Sequence, residues 1–300
     1  MSETVGFIGL GTMGFPMARN LAAAGVALVV YDAKPEVIEE AGKLPGVQAV
    51  ASPREVAERS AVVFTCLPDN GAVEAVYRGE EGITRGAKAG LITCDCSTVS
   101  PEVSIGLAEE LQALGMHHMD TPMLGSQPQA QSGEIFFIVA GEQERLPRIA
   151  PALEIMGRMH MYVGPSGTGN KIKLIHNALG DVIYTAVAES LALGAKSGVD
   201  LNVLYEVVRN GGGMAYSTYF ERKVPKIIQG DFTPNFRLDL AFKDITLARA
   251  FSDQVGVPVP LMEEARRTFE EAVRDGHGAA DACAVSHVIE KRIGRSLSQG

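Results

Sequence analysis

The 300 residues predict an α/β domain with a parallel sheet, joined by one long helix to an all-helical domain. Three observations carry this. Short apolar runs alternate with helical patterns up to about residue 164, the rhythm of βα units. A long apolar stretch, Lys171 to Ser197, follows the glycine run Gly164-Pro165-Ser166-Gly167-Thr168-Gly169. Beyond it only helix-length segments appear. The boundary is therefore set at Gly164, with domains 1–164 and 165–300, and a chain of this length is ordinarily two domains.

The first elements are Val5 to Ile8 as a strand, then Gly9-Leu10-Gly11-Thr12-Met13-Gly14, then a helical pattern stopped by Gly25. Val26 to Tyr31 is a second strand, ending at Asp32. Strand, glycine turn, helix, strand and acid in this succession form the Rossmann dinucleotide fingerprint. Gly9 permits the tight turn, Gly11 lets a pyrophosphate approach the backbone, and Gly14 lets helix and strand pack closely. The whole loop, with Leu10, Thr12 and Met13 between the glycines, is the expected cofactor cradle at a helix N-terminus. Asp32 is placed to accept hydrogen bonds from ribose hydroxyls, and its charge repels a 2′-phosphate. NAD is favoured, with NADP possible because Lys34 lies two residues on. A plainer role for Asp32 is a helix cap ahead of Pro35-Glu36.

Ala61 to Cys66 is a strand ending in Leu67-Pro68, and Leu91 to Cys96 one ending in Ser97-Thr98, with a helix start at Ser100-Pro101-Glu102. Met116 to Met119 leads into Asp120-Thr121-Pro122-Met123-Leu124-Gly125-Ser126. Ile135 to Ala140 and His160 to Val163 complete the set of strands. Ligands of open α/β sheets bind beyond the carboxyl ends of the strands. Leu67-Pro68, Ser97-Thr98 and Leu124-Gly125-Ser126 occupy such ends, where ordinary turn and cap chemistry is the competing role.

The long stretch is apolar on nearly every face, which predicts a helix buried all round. It spans about 40 Å at 1.5 Å per residue, enough to cross between domains. Lys173, His176, Asn177 and Gly180 share one stripe of it. A lysine near a buried helix start is costly unless it is used, because burial shifts its pKa toward neutrality. Segments 200–210, 215–229, 238–255, 258–275 and 279–294 also read as helical; within 238–255 the pair Lys243-Asp244 interrupts an apolar pattern and is either an exposed face or part of the site.

Net charge is −9 and hydrophobic content 46%. No Lys/Arg run exists, so neither nucleic acid nor an anionic membrane is an expected partner. Cys66, Cys94, Cys96 and Cys283 show no metal spacing, so no metal site is expected and reduced core thiols are. Met1 to Thr4 leads straight into a strand, so no signal peptide and a cytoplasmic location are expected. The apolar stretch is broken by Lys, Asp, Glu and Asn, so no transmembrane span is expected. So few charges in the helical domain point to a homodimer or homotetramer, and Ser296 to Gly300 reads as a frayed tail.

Taken together, FIGLGTMGFPMARNL, the strand-end Leu67-Pro68, DCSTVSP, the D-x-P-x-x-G segment from Asp120 to Gly125, the G-x-G-x-x-x-K-x-x-x-N run from Gly167 to Asn177, and Lys243-Asp244 resemble the β-hydroxyacid dehydrogenase family across essentially the whole chain. The resemblance implies reversible oxidation of a small 3-hydroxy acid with NAD or NADP. It implies Lys173 as the catalytic lysine and Asn177 as its neighbouring amide. It places Leu67, Pro68 and Thr98 beside the nicotinamide half of the cofactor, and Lys243 along the cleft. Ser97, Leu124, Gly125 and Ser126 are expected to line the substrate's carboxylate end. Two departures stand out. The family's substrate loop often reads Ser-Gly-Gly where this chain has Leu124-Gly125-Ser126, similar to glyoxylate and succinic semialdehyde reductases, so reduction of such aldehydes, or of imines, is the alternative activity. His176-Asn177 resembles the 6-phosphogluconate enzyme, but Gly180 stands where that enzyme has a glutamate. A cofactor-binding sensor without turnover is the reading from a different class; the Lys173/Asn177 stripe argues against it.

Overall fold

The computed structural model describes residues 3–86 and 88–298. Met1 and Ser2, at the expected direct entry into the first strand, and the last two residues of the expected tail lie outside the described residues. The chain forms two units, Met1–Lys173 and Leu174–Gly300.

In the first unit, nine strands among the described residues form one sheet. Six of them are β1 (Val5–Ile8), β2 (Leu28–Tyr31), β3 (Val47–Ala49), β4 (Val62–Thr65), β5 (Ile92–Asp95) and β6 (His117–Asp120). They run parallel in the order β3-β2-β1-β4-β5-β6. This order reverses direction at β1, and the crevice beyond the strand ends at that reversal is where such sheets bind dinucleotides. β7 (Met123–Leu124) and β8 (Ile135–Gly141) extend the sheet antiparallel, and β9 (Gly157–Gly164) pairs parallel with β8. The three-residue β3 and two-residue β7 are too short to show a pattern in the sequence.

The central strands are buried on both faces, hence their continuous apolar runs. Period-two alternation sends Val5, Phe7, Val62 and Phe64 to one core, packed under α1 (Gly14–Ala23) and α7 (Leu146–Met156). It sends Ile8, Val29 and Val63 to the other, with α3 (Pro53–Arg59) and α5 (Pro101–Ala113). The remaining helices of this unit are α2 (Pro35–Ala41), α4 (Asn70–Arg78) and α6 (Gln127–Ser132). Cys94 and Cys96 are buried on the same side, and all four cysteines are free.

The long helix is α8 (Thr168–Lys196). Its first turns belong to the first unit and the remainder to the second. It is long and apolar enough to cross a membrane by length and composition, and half of its most apolar window is buried in the protein. It is not buried all round. Ile175, Leu179 and Leu193 are 59%, 65% and 73% exposed, a stripe left open by the packing of the opposite face.

In the second unit α8 packs Val187, Leu191 and Ala195 against Val224 and Ile227 of α10 (Thr218–Gln229). Nearer its start, Leu174 and Ala178 meet Ala248 of α11 (Leu238–Gln254). The unit also holds α9 (Leu201–Asn210), α12 (Pro260–Ala272) and α13 (Ser286–Ile293). It has no strand among the described residues, only an isolated bridge between Arg237 and Asp281. The expected frayed tail is anchored at Leu297, which is fully buried and donates its amide to Glu290 at 2.6 Å.

Candidate active site

The glycine loop follows from backbone sterics. Gly9 has φ +89°, and a Cβ there would lie 2.3 Å from the carbonyl oxygen of Cys66. A Cβ on Gly14 would lie 1.9 Å from the carbonyl oxygen of Gly9. Both positions are closed to any side chain. Gly11 differs: nothing lies within 4 Å of its would-be Cβ, so its small size serves no contact within the chain. It faces open space beside the N-terminus of α1, which no side chain caps. Backbone left bare at a helix N-terminus suits an anion.

Asp32 joins this loop to the end of β2. Its Oδ2 accepts the Leu10 amide at 2.6 Å, and its Oδ1 the Lys34 amide at 2.9 Å. The expected cap role is not taken. Lys34 is the cap residue of α2, and Pro35, first in that helix, has no amide to donate, so the carboxylate turns to the glycine loop and to Lys34. The open cradle at Gly11, the uncapped helix and the half-exposed acid together fit a dinucleotide.

At the neighbouring strand ends a buried network fixes the backbone. Asp95 Oδ1 accepts from Thr65 Oγ1 at 2.7 Å and from Ser97 Oγ at 2.6 Å. Ser97 Oγ in turn accepts the Leu67 amide at 2.9 Å. The structure thus ties together Leu67 and Ser97, just beyond the ends of β4 and β5, from within. Ser97 is buried and Thr98 half-buried, while Leu67 is half-buried and Pro68 exposed. Ser100 precedes α5 and exchanges hydrogen bonds with Asn70. After β7, Gly125 has φ +137° and Ser126 starts α6, with its amide and hydroxyl 2.9 and 2.8 Å from Gln129 Oε1. Ser126 is thereby occupied in its own helix start, and Leu124 is half-buried.

In the second unit Asn177 Nδ2 donates to Asp244 Oδ2 at 2.6 Å, and Lys243 Nζ lies 3.0 Å from Asp244 Oδ1. Asp244 is 2% exposed, so the Lys243-Asp244 pair is not simply a solvated helix face. The carboxylate can only accept, so it fixes which end of the Asn177 amide is the donor. His176 is exposed, its Nδ1 3.1 Å from Asn177 Oδ1. Lys173 is half-buried, one turn before Asn177 on α8.

Three residues have roles that local spacing does not reveal. Asp244 was legible only as the neighbour of Lys243, although an acid inside an apolar helical pattern is a signal. Asp120 accepts the Gly167 amide at 2.7 Å. Asn170, fully buried, accepts the Val99 amide at 3.2 Å and donates to Ser104 Oγ at 3.0 Å. Among the described residues no cluster of His, Cys, Asp and Glu could hold a metal ion.

A sheet of this order with this loop defines a dinucleotide-binding fold. Residues 4–164 match the family described as the NAD binding domain of 6-phosphogluconate dehydrogenase, and residues 167–289 that described as NAD-binding of NADP-dependent 3-hydroxyisobutyrate dehydrogenase. Among similar proteins, 2-(hydroxymethyl)glutarate dehydrogenase of Eubacterium barkeri is 34% identical over 100% of this chain and 99% of its own. Mitochondrial 3-hydroxyisobutyrate dehydrogenase of Mus musculus is 34% identical over 96% of this chain and 87% of its own. L-threonate dehydrogenase of Cupriavidus necator is 34% identical over 96% and 97%. Among solved structures, Mycobacterium tuberculosis 3-hydroxyisobutyrate dehydrogenase with L-serine has a TM-score of 0.87 at 28% identity, covering 96% of this chain and 99% of that one. Imine reductases at 15–18% identity share the fold. The chain belongs to the β-hydroxyacid dehydrogenase family. It is an NAD(P)-dependent oxidoreductase acting on CH–OH donors of small molecules.

Proposed function

We propose that the chain oxidises a small β-hydroxy acid reversibly to its semialdehyde, with NAD preferred over NADP, and with Lys173 as the acid/base. The observation that carries the reading is the stripe of α8: Lys173 stands one turn before Asn177, whose amide is oriented by the buried Asp244. When bound, the nicotinamide supplies the hydride acceptor. In oxidation, neutral Lys173 takes the hydroxyl proton as the C–H hydride leaves. In reduction, the ammonium form stabilises the oxygen as it gains charge and then protonates it. Asn177 holds the lysine or the substrate oxygen. Ser97, Leu124, Gly125 and Ser126 line the carboxylate end, with Lys243 as a cation toward the carboxylate or cofactor.

Gly9 to Gly14 would hold the pyrophosphate, Asp32 the adenosine ribose, and Leu67, Pro68 and Thr98 the nicotinamide half. Asp32 supports NAD through its charge at the ribose position. Exposed Ile175, Leu179 and Leu193 support a homodimer or homotetramer that covers them. The four free thiols support a reducing, cytoplasmic location.

Nicotinamide absorbance with purified protein tests the reading. The oxidation panel holds 3-hydroxyisobutyrate, 3-hydroxypropionate, serine and glycerate; the reduction panel holds glyoxylate, succinic semialdehyde and tartronate semialdehyde. Turnover of one 3-hydroxy acid with NAD ahead of NADP is the expected result. Efficient reduction of glyoxylate or succinic semialdehyde with NADPH alone would replace it with the reductase reading, for which Leu124-Gly125-Ser126 speaks.

A further inference from the structure

Asp120 ends β6, and its carboxylate meets the start of α8. Oδ2 accepts the Gly167 amide at 2.7 Å, and the amides of Gly169 and Asn170 also face it. The two glycines are what allow this approach. A Cβ on Gly169 would lie 2.8 Å from Asp120 Cβ. Gly167 has φ +87°, and a Cβ there would lie 2.8 Å from the Ile105 side chain of α5. Asn170 adds a second tie, to Val99 and Ser104. The start of α8 is thus bound to the end of β6 through Gly167 and to Val99 and α5 through Asn170, and Lys173 follows Gly167 by less than two helical turns.

We propose that Asp120 is a positioning residue for Lys173, holding the first turn of α8, and hence the lysine, in its working place through the Gly167 amide. This rests on the reading of Lys173 as the acid/base. An ionised carboxylate at a helix N-terminus binds amides more strongly than a neutral acid does. The grip therefore depends on the charge of Asp120. Burial pushes that carboxyl up to about 7, the facing amides opposing and the Asp95 charge adding to the rise. Asp95 is its register partner on β5, β8 offers Ala140 opposite, and α8 offers the amides with Lys171 and Lys173 further along; Cys94, Cys96, His117 and His118 are the other ionisable groups on β5, β6 and the residue after β5. The bond from the Gly167 amide strengthens as pH rises through neutrality, while burying the charge lowers the stability of the fold as a whole.

Asp120→Asn keeps the acceptor and removes the charge, so it mimics the protonated form. The ratio of wild-type to variant kcat is expected near one at pH 6 and about tenfold at pH 8.5, with KM for NAD unchanged. A ratio that does not change with pH would overturn the proposal. Should the variant fail to fold, amide exchange of residues 166–173 in the wild-type protein decides. After correction for intrinsic rates, protection rises between pH 6 and 8 if the proposal holds, relative to the strand β1; equal protection at both overturns it. Lys173→Ala is assayed alongside. Full activity there would remove the lysine's role, and the proposal with it, even with the exchange result intact. An inactive Lys173→Ala beside a flat Asp120→Asn ratio would sink the proposal alone.

Discussion

Asn177 and Asp244 show what a single residue contributes. An asparagine amide rotated by half a turn presents the wrong atom, and only a neighbour of fixed polarity prevents it. Asp244 is such a neighbour, buried and 2.6 Å from Nδ2. Asp244→Asn removes that polarity while keeping the volume. It is expected to lower kcat about 10- to 100-fold with KM for NAD little changed, the size of a lost charge-assisted hydrogen bond. Steady-state kinetics at saturating NAD check this; a fall in cofactor affinity alone would place Asp244 elsewhere in the chemistry. The sequence made Lys173, Asn177 and Asp32 legible because each sits at a fixed offset in a local pattern. Asp244, Asp120 and Asn170 act on residues distant in the chain, and no local spacing reveals such partners.

At the scale of the element, the glycine loop separates steric need within the chain from need for a ligand. Gly14 is required by the fold, since its Cβ would overlap the Gly9 carbonyl. Gly11 is not, since its Cβ would meet nothing. Gly11→Ala is expected to fold with a melting temperature within about 2 °C of wild type, as surface substitutions do, yet to lose NAD binding. Gly14→Ala is expected to destabilise by several kcal/mol, because backbone must move. Thermal melts with and without NAD distinguish the two; retained NAD binding by Gly11→Ala would remove the loop's assignment. The strands and most helices were legible because buried parallel strands and long helices carry strong patterns. Short β3 and β7 carry none. The exposed stripe of α8 was hidden because its apolar residues read as core.

For the whole molecule, two buried groups on β6 oppose each other in pH. His118 is buried against Tyr77 with its Nδ1 2.9 Å from Thr93 Oγ1, and burial lowers its imidazole to about 3. Below its ordinary value the unfolded chain binds a proton that the folded one refuses, so His118 makes stability rise with pH from about 3 to 6.5. Asp120 acts the other way. Its folded form keeps a proton up to about 7 that the unfolded chain has released above 3.8, so its stabilisation is fully present near pH 4 and is lost as pH rises to 7. Each contributes a slope of about 1.4 kcal/mol per pH unit, and between pH 4 and 6.5 they offset. Asp120→Asn is expected to uncover stability that rises with pH across that window. Chemical denaturation at pH 4.5, 5.5 and 6.5 checks it; a variant with the wild-type slope would show that Asp120 does not retain its proton.

The most direct test of the central claim is turnover and cofactor binding by Lys173→Ala, measured together. NAD reduction with the preferred 3-hydroxy acid is expected to fall by about a thousandfold or more, as loss of an acid/base and its charge does. NAD affinity is expected to stay at the wild-type value, since the cradle of Gly9 to Gly14 and Asp32 is untouched. Wild-type-like turnover in this variant would contradict the account outright, and the proton would have to come from another group.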